Sequence, residues 1–234
     1  MPIGVPKVPF QFQNEPQIQW VNIYIRLSYE RVRFIAEILE TEIITQLIGL
    51  FMYLSLKNEK CDIFLYINSL GGSVSCGISL VDVMIYVKSN VCTINFGTAN
   101  STASFVVARG SSKKRLALIH SQFVIYQPMR GEKGQATEVL SVTKEVTSLR
   151  KMVCKLYAQF TGNTLSQIII DLDRNTSINS KQADKYGLID RVQLTILVFY
   201  IFNLDRVRKL NYDITILIYL VKKIGKTNFF TINT

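Results

Sequence analysis

Residues 62–108 read DIFLYINSLGGSVSCGISLVDVMIYVKSNVCTINFGTANSTASFVVA, and the order of signals in this stretch decides the fold class. Asp62 to Asn68 is a short apolar run stopped by Gly71 and Gly72. Val74, Ile78, Val81 and Ile85 then recur at helical spacing. Val91 to Phe96 is strand-like again, and Ser101 to Ala108 forms a short helix closed by Gly110. Strand, helix, strand, helix is the βαβ pattern of a mainly parallel sheet, which places the chain in the α/β class.

Downstream, Val139, Val142, Val146, Leu149, Val153 and Leu156 recur at alternating steps of three and four, which predicts one long helix from about Gln135 to Phe160 with Gly162 as its cap. A seam this narrow on a helix roughly 39 Å long suits a coiled-coil-like contact with another subunit, or equally a core-facing helix. Upstream, residues 1–30 hold four of the five prolines, so an irregular N-terminal arm is expected. Residues 31–192 carry the alternating pattern of the domain. From 193 to 234 the chain is a basic and apolar extension, with apolar runs at 194–204 and 214–221. Each run is shorter than the roughly 20 apolar residues that cross a bilayer. Extra strands or an interfacial segment are expected there rather than a membrane anchor.

The composition fits an ordinary folded protein: 48% of the 234 residues are hydrophobic and 19% charged, far from the profile of disorder. The net charge of +10 would suit an anionic partner if it formed one patch, but about half of the excess lies after residue 190, and no nucleic-acid motif accompanies it. No nucleic-acid partner is expected. The cysteines at 61, 76, 92 and 154 have no CxxC spacing and lie on apolar stretches, so they read as free thiols rather than disulfides or zinc ligands. The opening MPIGVPKVPF has neither the apolar core of a signal peptide nor the pattern of a transit peptide. The many Ile, Asn and Lys residues suit an AT-rich genome such as an organelle's.

Two places carry chemistry. Ser101, in FGTANSTASF, follows a strand and opens a helix, where a hydroxyl is exposed near free backbone N–H groups and can attack a carbonyl. Serine is also a favoured helix cap, and that alone would explain it. In NSLGGS, residues 68–73, two glycines after a strand let backbone N–H groups aim at an oxyanion or hold an extended peptide, although a Gly-Gly pair is commonly just a turn.

Six phrases in order, MPIGVPKVPF, QLIGLFMYLS, YINSLGGS, FGTANSTASF, KKRLALIHSQFVIYQP and SKQADKYGLID, resemble the plastid-encoded proteolytic subunits of the ATP-dependent Clp protease family over about residues 1–192. The resemblance implies a crotonase-like α/β fold with a long handle helix. It implies two stacked seven-membered rings of Clp proteolytic subunits in the plastid stroma, fed with unfolded protein by an AAA+ ATPase, with no cofactor of the subunit's own. It implies Ser101 as nucleophile and the backbone N–H groups of Gly72 and Thr102 as oxyanion hole. The family's His falls in a phrase ending HQP, where this chain has Tyr126, and its Asp precedes the YGLVD-like phrase, where this chain has Asn175.

Those two departures matter chemically. A general base must take the serine proton and return it to the leaving amine, and a phenol, with a reference pKa of about 10, serves poorly. An amide cannot stabilise a developing imidazolium; Asp to Asn alone costs about 10⁴ in turnover in the trypsin-type case. His120, the only histidine, lies six residues before Tyr126, about 20 Å along an extended segment, out of reach of the same hydroxyl. Leu70 in place of the usual Pro, and Thr102–Ala103 in place of Met-Gly, leave the backbone donors in place. The expectation is a proteolytic-core subunit with a degenerate triad. The alternatives are an active serine endopeptidase using Ser101 and, from another class, an acyl-CoA-binding crotonase relative.

Overall fold

A computed structural model describes residues 4–11, 17–129, 131 and 133–193, and the expectations for the tail after 193 fall outside these residues. The sheet is mainly parallel. β3 (Val32–Ile35), β4 (Ile63–Ser69), β5 (Val91–Asn100), β6 (Arg115–Leu118) and β9 (Arg191–Gln193) lie side by side in that order, all parallel. The helices between them are α2 (Thr41–Lys57), α3 (Val74–Tyr86) and α4 (Thr102–Ala108). These βαβ crossovers confirm the α/β reading.

β4 shows why the sheet is two-faced. Ile63, Leu65, Ile67 and Ser69 point into the core, and Phe64, Tyr66 and Asn68 point the other way and are only half-buried. On that second face Tyr66 stacks on Phe34 with centroids 5.3 Å apart and meets Phe96 edge-on at 6.2 Å. Burial pushes the Tyr66 phenol well above its ordinary pKa.

β5 has two neighbours in succession. Thr93, Ile94 and Asn95 pair with β6, whereas Thr98, Ala99 and Asn100 pair with β7 (Gln122–Ile125). The switch is made at a bulge where the β4 register slips between Ile67 and Ser69. There Asn68 Oδ1 accepts from the Thr98 N–H at 2.9 Å, and a Cβ on Gly97 would come 2.4 Å from that oxygen, so a larger residue there would displace the Asn68 side chain from this bond. β7 in turn pairs antiparallel with β8 (Thr176–Asn179), from Gln122 with Asn179 to Ile125 with Thr176.

α5 (Ala136–Thr161), the predicted long helix, ends at Gly162 in the left-handed conformation, φ 76°. Its buried residues are Val153, Cys154 and Tyr157, all in its second half. Within this single chain the seam at Val139, Val142, Val146 and Leu149 is therefore not covered as a core-facing helix would be. α6 (Leu165–Asp173) packs on α5, and α7 (Ser180–Tyr186) packs on β8 and β9.

Two expectations need correction. The described residues of 1–30 are not irregular: β1 (Lys7–Phe10) pairs antiparallel with β2 (Gln19–Asn22), and α1 (Ile23–Tyr29) follows. Pro9 is tolerated because a two-stranded ribbon has a free edge where no N–H is needed. In α3 the buried face is Cys76, Gly77, Leu80, Val81 and Met84, so the predicted stripe is rotated and Ile85 is exposed. The polar residues Ser75, Ser79 and Asp82, spaced by four and three, mark the exposed side that the apolar stripe missed.

Among the described residues no helix is long and apolar enough to cross a membrane. All four cysteines are free thiols; Cys76, Cys92 and Cys154 are buried and Cys61 half-buried. Burial pushes the Cys92 thiol up to about 12, which makes it a poor nucleophile.

Candidate active site

The site is built where β4 and β5 end. Ser101 follows β5 with φ 50° and ψ −119°, a backbone conformation that side-chain-bearing residues rarely hold and that costs about 1–3 kcal/mol. The surrounding bonds over-determine it. Its N–H donates to the Val124 carbonyl at 2.7 Å, extending the pairing of β5 with β7 by one residue. Its carbonyl accepts from the Phe105 N–H at 3.2 Å, from Ser104 Oγ at 2.7 Å and from the Tyr157 hydroxyl at 3.2 Å.

The glycine turn lies against this elbow. Gly71 has φ 92°, and a Cβ there would lie 2.6 Å from the Asn100 carbonyl oxygen and 3.1 Å from Ser101 Cβ. Only glycine brings the two backbones this close. On the other side the turn pairs with Leu39, whose N–H donates to the Gly71 carbonyl (2.9 Å) and whose carbonyl accepts from Ser73 (3.0 Å). In an extended segment the residue between two such bonds turns its own N–H and C=O the opposite way. The Gly72 carbonyl accordingly accepts from Thr102 Oγ1 at 3.2 Å, on the elbow side. Thr102 begins α4, so its N–H is one of the donors that a helix start leaves without an intrahelical partner. Gly72 and Thr102, singled out as the oxyanion donors, are thus brought together beside Ser101.

Tyr126 lines the same cavity as Ser101, with Val74, Phe105, Pro128, Val153 and Tyr157 around them. The cavity has a volume of about 10 Å³, room for roughly one water. The Tyr126 hydroxyl donates to the Leu70 carbonyl in a long contact of 3.5 Å, bridging from the end of β7 to the glycine turn. Asn175 sits between α6 and β8 in the left-handed conformation, φ 52°, which Asn and Asp tolerate better than most residues. Its position is one residue before Thr176, and Tyr126 is one residue after Ile125, the pair that closes the β7–β8 ladder. The fold therefore brings Ser101 and Tyr126 to one cavity and places Asn175 at the same end of the β7–β8 ladder as Tyr126. His120 is exposed on the turn before β7, at the opposite end of that strand from Tyr126.

Sequence reasoning missed Tyr157 and Ser104. Ser104 Oγ and Tyr157 Oη are 2.7 Å apart, and both reach the Ser101 carbonyl. Burial pushes the Tyr157 phenol well above its ordinary pKa, outweighing the opposing effect of its bond with Ser104, so it stays a donor. Tyr157 lies off the predicted seam and its partners are more than fifty residues away in the chain, so no local signal pointed to it.

Serine on a strained strand-to-helix elbow, at the start of a helix and packed against a glycine turn whose Gly71 N–H is bonded to Ser69 Oγ, is the kind of arrangement serine hydrolases use. Comparison with known proteins specifies the family. The Clp protease family model matches residues 13–195. The chain is 50% identical over 192 residues to an ATP-dependent Clp protease proteolytic subunit of Oltmannsiellopsis viridis, covering 82% of this chain and 98% of that protein. It is 48% identical over 192 residues to the subunit of the same name from Chlorella vulgaris, covering 82% and 96%. With that of Marchantia polymorpha it shares 43% over 195 residues, covering 83% and 96%. The chain belongs to the Clp protease family. Peptidases of this family use no cofactor, and among the described residues no cluster of His, Cys, Asp and Glu could hold a metal.

Proposed function

We propose that this chain is a structural subunit of the Clp proteolytic core in the plastid stroma, one that completes a seven-membered ring and helps dock the AAA+ ATPase while neighbouring subunits cut the unfolded protein delivered to them. The single observation that carries the reading is the phenol of Tyr126 beside Ser101, in the position where the resemblance expects an imidazole. A phenol does not take the serine proton at neutral pH in the way an imidazole does. Asn175 opposite it offers an amide where a carboxylate would hold an imidazolium. The seam of α5 left uncovered in the single chain supports assembly with other subunits.

The purified chain is expected not to react with a fluorophosphonate at Ser101 and to co-purify with active Clp subunits. Labelling of Ser101 would remove the first half of the reading, and isolation as a lone monomer the second. The strained conformation of Ser101 favours one second reading, an active serine endopeptidase. Ser101→Ala in the assembled protease, assayed on an unstructured substrate with the ATPase present, separates the two: unchanged turnover supports the structural role.

A further inference from the structure

We infer that Tyr157 and Ser104 are positioning residues that hold Ser101 in its nucleophile conformation independently of the base, so that the loss of chemistry in this chain is confined to positions 126 and 175. The inference rests on the proposed assignment of Ser101 as the nucleophile position. It starts from the Ser101 carbonyl, which receives three donors from two helices: Phe105 N–H and Ser104 Oγ from α4, and Tyr157 Oη from α5. The two hydroxyls lie 2.7 Å apart and carry one proton each, so each donates either to the carbonyl or to the other hydroxyl, and two of the three contacts are hydrogen bonds at a time.

These groups are enclosed. Tyr157 is 2% exposed and Ser104 fully buried, so water does not compete for these bonds. The Tyr157 ring meets Phe105 edge-on, centroids 5.3 Å apart at 66°, which fixes where its hydroxyl points. A carbonyl anchored on that side fixes the ψ of Ser101, while the N–H bond to Val124 fixes its other flank. None of these anchors involves Tyr126 or Asn175. The elbow is therefore set by α4, α5 and β7 backbone, and survives the change of both side chains that would have formed the base.

The test repairs the site in the assembled complex, with the nucleophiles of the partner subunits replaced by alanine. Tyr126→His with Asn175→Asp is expected to make Ser101 react with a fluorophosphonate: the serine oxygen bonds phosphorus, fluoride leaves, and the imidazole takes the proton. Adding Tyr157→Phe, which keeps the ring and its packing, is expected to slow labelling on the order of fivefold or more, the worth of one hydrogen bond. Ser104→Ala should act in the same direction. In the unrepaired chain, Tyr157→Phe should speed amide exchange at Ser101 and Phe105 while amides of β4 and α2 stay protected. Equal labelling rates together with unchanged exchange at those two amides overturn the inference, as does an exchange increase spread evenly over the core. If the repaired chain never labels, the assignment of Ser101 fails, and local exchange alone then decides whether the clasp exists.

Discussion

Tyr126 and Asn175 flank the pair of Ile125 with Thr176 that ends the antiparallel ladder of β7 and β8, Tyr126 following Ile125 and Asn175 preceding Thr176, and Tyr126 shares its cavity with Ser101. Two segments separated by a long helix thus reach the same end of one ladder. In the proposed assignment these are the positions of the base and of the group that orients it.

Restoring only one member should therefore do little. Tyr126→His with Asn175 left in place is expected to hydrolyse peptide about 10⁴ more slowly than the variant carrying both Tyr126→His and Asn175→Asp, because the imidazole lacks the carboxylate that orients it. Turnover in complexes whose other subunits carry alanine nucleophiles measures this, and equal rates would contradict the pairing.

Gly71→Ala should destabilise the chain. Its φ of 92° costs an L-residue about 1–3 kcal/mol, and the new Cβ would press on the Asn100 carbonyl oxygen at 2.6 Å, a backbone atom that cannot swing aside. A urea midpoint unchanged from the parent would show that the turn relaxes instead.

In the core, Leu65 is fully buried on β4 between β3 and β5. Leu65→Ala leaves a void that flanking strands cannot close and should cost about 2–5 kcal/mol in chemical unfolding. The exposed pair of Arg150 and Asp173, at 2.7 Å, contrasts with it: Asp173→Asn should cost less than about 1 kcal/mol.

Asp190 predicts a pH dependence. Burial pushes its carboxyl up, but the bonds from Arg115, through the side chain at 2.7 Å and the backbone N–H at 3.0 Å, outweigh that and leave it below the ordinary carboxylate range. A lowered folded-state value means that the unfolded chain binds the proton first. The stability from this pair is thus present above the unfolded value of about 4 and lost as pH falls toward the folded one. Urea unfolding between pH 6 and pH 3 should show this loss, and Asp190→Asn should flatten it.

The framework was legible because β4, β5 and α4 are short local signals: an apolar run, paired glycines, a serine opening a helix. The end of α5 was legible for a similar reason, since Gly162 supplies the left-handed cap that a helix stop needs. What was not legible depends on distance along the chain. The hydroxyl of Tyr157 has meaning only once α5 crosses α4, whereas positions 126 and 175 were singled out by the resemblance and not by any local signal of their own. The β1–β2 ribbon was hidden by its prolines, which argue against strands everywhere except at an edge. The phase of α3 was legible in Ser75, Ser79 and Asp82, which recur at helical spacing and are all exposed, but the stripe drawn through Val74, Ile78 and Ile85 ignored them, and Cys76 and Gly77 face inward.

The forked pairing of β5 has an evolutionary corollary. Its inner half is rooted in the parallel sheet and carries the elbow outward, whereas positions 126 and 175 ride on a small flap that meets β5 only over its last three residues. Substitutions on the flap can therefore change what stands beside the elbow without loosening the foundation that carries it.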